Sequence, residues 1–124
     1  MGGMESIEPI SFPGRRFVSG VSGQASTVAF DRFELQHILN VYGRMVAAGH
    51  WKDYAIGDSR EVATFCIFRR ASEMPLYRIT KTPRLQRKQG QYAILGMAGQ
   101  ILKRGHDLAQ LMSFFDKKRF RVVD

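Results

Sequence analysis

The sequence predicts an α+β fold: an antiparallel sheet of about five strands with two helices packed on one face, in the order α-β-β-β-β-β-α. A flexible N-terminal leader, residues 1–29, precedes a single domain at 30–124. Three observations carry this reading. Two segments with helical apolar spacing each begin at an aspartate N-cap, Asp31 and Asp107. Between them the apolar period falls to two. The links between those segments are of hairpin length, which favours antiparallel neighbours over crossover connections.

The leader is rich in Gly, Ser and Pro, and its apolar residues Ile7, Ile10, Phe12, Phe17 and Val18 follow no sustained period. One short strand is expected around residues 26–30. The first helix starts at Asp31, with Glu34 three residues on completing a capping box and Phe30 and Leu35 in the staple positions. Leu35, Ile38, Leu39, Tyr42, Met45 and Val46 make its apolar face, and Gly49 supplies a left-handed stop. Gly43, inside the helix, costs about 1 kcal/mol against alanine and so points to a close contact with a strand.

"YAIGDSREVATFCIFRR" reads as a strand, a tight turn at 57–60 and a longer strand. In that second strand Ala63, Phe65 and Ile67 face away from Val62, Thr64, Cys66 and Phe68. After a turn at 72–75, Tyr77 and Ile79 alternate with Leu76, Arg78 and Thr80. A polar connection at 82–91, longer than most hairpin links, leads to a hairpin of 92–95 and 100–103 around "GMAG". The closing helix has Asp107 as N-cap, Gln110 at the box position, and Leu108, Leu111, Met112 and Phe115 on its apolar face.

At 124 residues with 44% apolar content, the chain has the length and composition for one packed core. No run reaches the 18 or so apolar residues that a membrane span requires, and the start lacks a charged segment followed by an apolar one. A cytoplasmic protein with no membrane partner is expected. The single cysteine, Cys66, sits mid-strand, cannot form an internal disulfide, and is expected as a buried reduced thiol.

The residue types offer little for catalysis, and the sequence predicts no catalytic residue, no cofactor and no metal. His37, His50 and His106 show no metal-ligand spacing. Asp53, Asp58 and Glu61 surround a predicted turn, where aspartate serves turn chemistry. "SGVSGQAS" does not match the nucleophile elbow, no phosphate-binding loop of the G-x-x-x-x-G-K-[ST] type is present, and "GMAG" opens no helix.

The charge is more informative. Of a net +8, the whole excess lies between residues 69 and 104: Arg69, Arg70, Arg78, Lys81, Arg84, Arg87, Lys88, Lys103 and Arg104 against Glu73 alone. A clustered positive field attracts polyanions. Arg78 beside Tyr77, and Arg87 and Lys88 near Tyr92, combine cations with rings that could stack on bases. The expected function is therefore that of a non-enzymatic binding protein that engages nucleic acid through these nine residues. The alternative is a protein-interaction or scaffold domain whose basic face meets an acidic protein partner.

With these elements placed, "LNVYGRMVAAGHWKDYAI", "FRRASEMPLYRI", "KTPRLQRKQGQY" and "ILKRGHDLAQLMSFFDKK" resemble an uncharacterised family of small basic proteins from alphaproteobacteria, a domain of unknown function. The resemblance covers residues 30–118. It implies a bacterial cytoplasmic protein and brings with it no activity, cofactor or catalytic residue.

Overall fold

The computed structural model describes residues 15–19 (backbone only), 27–70 and 74–116. The elements are β1 (Arg15–Ser19), α1 (Arg32–Ala47), β2 (Asp53–Asp58), β3 (Ala63–Phe68), β4 (Tyr77–Lys81), β5 (Tyr92–Leu95), β6 (Ile101–Gly105) and α2 (Leu108–Met112). One six-stranded sheet runs in sequence order from β1 to β6. β2 to β6 form the five-stranded antiparallel meander that the sequence predicts. Ile7, Ile10, Phe12 and the turn at Ser72 lie outside the described residues.

β1 is a strand that the sequence reading of 1–29 does not place. It pairs parallel to β2, from Arg15 opposite Tyr54 to Ser19 opposite Asp58. A parallel pair needs a crossover of a dozen or more residues, and α1 lies within that connection. Five residues between glycine-rich flanks carry too little alternation to reveal such a partner. The strand expected at 26–30 reduces to a bridge, Val28 to Ser59, with a 2.7 Å hydrogen bond.

α1 begins where its cap chemistry predicts. Asp31 Oδ1 accepts from the Glu34 amide at 2.8 Å, and Glu34 Oε1 accepts from the Asp31 amide at 2.7 Å. Gly49, at φ +86°, ends the helix, and its N–H donates to the Val46 carbonyl. In α2, Asp107 Oδ1 accepts from the Gln110 amide at 3.2 Å. Asp31→Ala and Asp107→Ala should each cost about 0.5–2 kcal/mol, with Asp31 at the upper end because its side-chain cap bond is the shorter, 2.8 Å against 3.2 Å, and starts the longer helix. Urea midpoints of the two variants check this; if neither midpoint moves, the caps are not what starts the helices.

The helix face differs from the one expected. The buried stripe of α1 is Glu34, Ile38, Val41 and Met45. Leu35 and Tyr42 flank it, while Leu39 and Val46 are 37% and 40% exposed. The rotation has a cause: α1 must meet α2 as well as the sheet. His37, Asn40, Val41 and Arg44 line a groove against α2, closed by an Arg44–Asp116 ion pair of 2.9 Å. Gly43 is likewise not a close contact, since a Cβ added there would meet nothing within 4 Å.

The core lies between the helices and the sheet face that carries Ala63, Phe65, Ile67, Ile79 and Ile94. Both helices pack on that face. Tyr42 of α1 sets its ring edge-on to Tyr54 at 4.9 Å, and Phe115, beyond α2, does the same to Trp51 at 4.9 Å and Tyr77 at 5.0 Å. The opposite face, with Thr64, Cys66, Arg78, Thr80, Leu95 and Arg104, meets no helix among the described residues. Among the described residues no helix is long and apolar enough to cross a membrane.

Candidate nucleic-acid interface

The β4–β5 connection, so polar that the sequence suggests a loose loop, is a hydrogen-bonded turn. Pro83, with φ preset by its ring, opens a 3-10 turn (Pro83–Leu85). The Leu85 carbonyl then accepts from the amides of Lys88, Gln89 and Gly90 at 3.0–3.1 Å. A bond from the Thr82 amide to the Gln91 carbonyl, 2.6 Å, closes the base.

Gly90 makes this closure possible. Its φ is +100°, a left-handed value that side chains with a Cβ adopt at a cost, and a Cβ there would come within 2.5 Å of the Gly105 carbonyl carbon and oxygen. The loop therefore rests directly on β6. Arg104 adds a second tie, its guanidinium donating to the Gly90 carbonyl at 3.2 Å.

With the backbone occupied internally, Arg84, Gln86, Arg87, Lys88 and Gln89 all stand exposed to solvent. Arg84 Nε lies 3.3 Å from Glu61 Oε1, but both side chains are about two-thirds exposed. Such a pair is worth about 0–1 kcal/mol and exchanges readily for another anion. Among the described residues neither Arg87 nor Lys88 has an acidic partner.

The other predicted cations scatter. Arg104 joins the loop at its base, and Arg78 lies on the helix-free face, opposite Cys66 on one side and Leu95 on the other. Lys103 stands opposite Ile94 and so belongs to the helix side of the edge strand. Arg69 and Arg70 follow the far end of β3, about 17 Å from its Ala63 end at ~3.3 Å per residue, beside Trp51 and Lys52.

Lys81 is the clearest correction. Its ammonium is 2.8 Å from Glu34 Oε1 and 3.0 Å from the Ala29 carbonyl, with only 16% of its side chain exposed. Glu34 is 8% exposed and also accepts, through Oε2, from the Tyr92 hydroxyl. Lys81 thus neutralises a buried carboxylate and is not available to phosphate. Sequence spacing gave no sign of Glu34 as its partner, beyond a carboxylate standing four residues before Ile38 on a buried stripe.

The aromatic half of the expectation also changes. Tyr77 and Tyr92 point into the core, not toward solvent. Burial, then the hydrogen bond to Glu34, raises the pKa of Tyr92, and burial alone raises that of Tyr77. Both hydroxyls are held neutral, and neither ring offers a face to a base.

For acid–base or nucleophilic chemistry the side chains do not converge. Asp53 and Asp58 occupy opposite ends of β2, and Glu61 faces Arg84. Cys66 is half-buried; burial pushes its thiol pKa up, with Arg78 opposing. A raised pKa leaves less thiolate, the reverse of what a nucleophile needs. Among the described residues no three His, Cys, Asp or Glu side chains are placed to hold a metal ion.

No curated protein and no solved structure matches the chain. The family model that does match, described as a protein of unknown function (DUF2794), covers residues 28–112, from the bridge before α1 to the last residue of α2, and the chain belongs to that family.

Proposed function

We propose that this protein is a non-enzymatic, cytoplasmic nucleic-acid-binding protein whose contact surface is the β4–β5 turn, with Arg84, Arg87 and Lys88 as the phosphate contacts and Arg104 and Arg78 behind them. One observation carries the reading. Three cations are held outward on a turn whose backbone is already hydrogen-bonded, and among the described residues the one acid paired with any of them, Glu61, is exposed and exchangeable. Ordering the turn before binding removes an entropic cost that a solvated loop would meet on contact. This supports a binding role over a passive surface, and phosphate over a core function for these residues.

The reading is narrower than the nine-residue surface that charge alone suggests. Lys81 leaves it, and Arg69 and Arg70 lie a strand length away. The test is titration of a labelled 20-base-pair duplex with wild type and with the combined Arg84→Ala, Arg87→Ala, Lys88→Ala variant. Three phosphate contacts correspond to roughly five-hundredfold in affinity near 0.1 M salt. The variant should lose about that much while keeping its melting temperature, because no removed side chain is buried. Equal binding by both proteins overturns the assignment of these residues. Binding to an acidic protein with nucleic acid ignored at low salt favours the scaffold reading instead.

A further inference from the structure

Resting on the nucleic-acid reading, we infer that the preferred partner is the double-stranded form, held through its phosphates rather than by stacking on its bases. Proteins that bind single strands draw much of their affinity from bases stacked on aromatic faces. Among the described residues this surface has none to give. Tyr77, Tyr92 and Trp51 are committed to the core. Among the described residues the one aromatic ring that is mostly exposed is Phe33, at 69%.

Phe33 is badly placed for the purpose. It lines a shallow cleft with Asp31, Glu34 and Asp107. Glu34 is neutralised by Lys81, but Asp31 and Asp107 are exposed helix caps with no cation paired to them among the described residues. A base stacked on Phe33 would draw its own backbone toward those two charges.

What remains is a rigid cationic turn, and that suits a duplex for two reasons. Duplex phosphates are dense and fixed in space, so each contact releases more condensed counterion, about 0.9 per contact against about 0.7 on a single strand. A flexible strand must also be ordered to match a fixed array, whereas a duplex arrives ordered. The sheet face beside the turn adds no ring in its central row: across β3, β4 and β5, Thr64, Thr80 and Ala93 stand side by side, and none offers an aromatic face to a base.

The experiment is fluorescence anisotropy near 0.1 M salt with two labelled probes, a 20-base-pair mixed duplex and a 20-base oligothymidylate, against wild type and Phe33→Ala. Counterion release alone predicts about a fourfold preference for the duplex over three contacts. Phe33→Ala should leave both affinities unchanged. Single-strand binding as tight as duplex binding, or weakened by Phe33→Ala, overturns this inference while the nucleic-acid reading stands. Failure of both probes to bind overturns the nucleic-acid reading itself.

Discussion

Replacing Lys81 with methionine should lower stability by about 3–5 kcal/mol, the cost of removing one partner from a buried ion pair. The stem of methionine fills most of the same space, so the loss is chiefly electrostatic. Glu34 would keep the Asp31 amide and the Tyr92 hydroxyl as donors but face them with no cation in a site 8% exposed. Adding Glu34→Gln should restore part of the loss, since a neutral amide oxygen can still accept from either donor. A double-mutant cycle by urea denaturation measures the coupling, and strictly additive effects would mean that the pair is not coupled. At temperatures where Lys81→Met stays folded, its duplex affinity should match wild type. The two readouts thus separate a cation that holds the fold from those proposed to hold phosphate.

Gly90→Val should be the next most damaging change, at about 2 kcal/mol or more. The left-handed backbone alone costs a residue with a Cβ about 1–2 kcal/mol, more for a branched one. The collision at 2.5 Å is with the Gly105 backbone, which cannot step aside as a flexible side chain would. Relief requires lifting the turn off β6, which breaks the Arg104 tie and strains the bond from the Gly90 amide to the Leu85 carbonyl. Stability and affinity should therefore fall together, with amide exchange rising first at Lys88, Gln89 and Gly90. Gly99→Val makes a useful contrast: its φ is +86°, but a Cβ there meets nothing within 4 Å, so it should cost less and leave binding alone. Equal effects at the two glycines would show that contact with β6 does not set the turn.

The parts of this fold legible in the sequence are those decided by neighbours. Both helix starts follow from a side chain reaching an amide three residues on, and β2 to β6 follow from alternation, as with Phe65 and Ile67. The parts that were not legible depend on distant partners. The rotation of α1 that exposes Leu39 and Val46 is set by α2 and by the Glu34–Lys81 bond, which joins residues 47 apart. Parallel pairing of β1 depends on a crossover that no local period announces. At the proposed site the charges themselves could be read, but not their presentation. The turn is built from backbone groups indifferent to side-chain identity, with Pro83 and Gly90 its main residue-specific traces, and the sequence could not say that Lys81 faces inward while Arg84 faces out.

The measurement that tests the central claim most directly is the salt dependence of duplex binding. If Arg84, Arg87 and Lys88 each meet a phosphate, the logarithm of affinity should fall with the logarithm of salt at a slope of about −2.7, or roughly fortyfold between about 50 and 200 mM. The triple alanine variant should bind with a slope near zero from this turn. An identical slope for wild type and variant, whatever its value, would contradict the account, because the counterions released would then come from somewhere other than these three side chains.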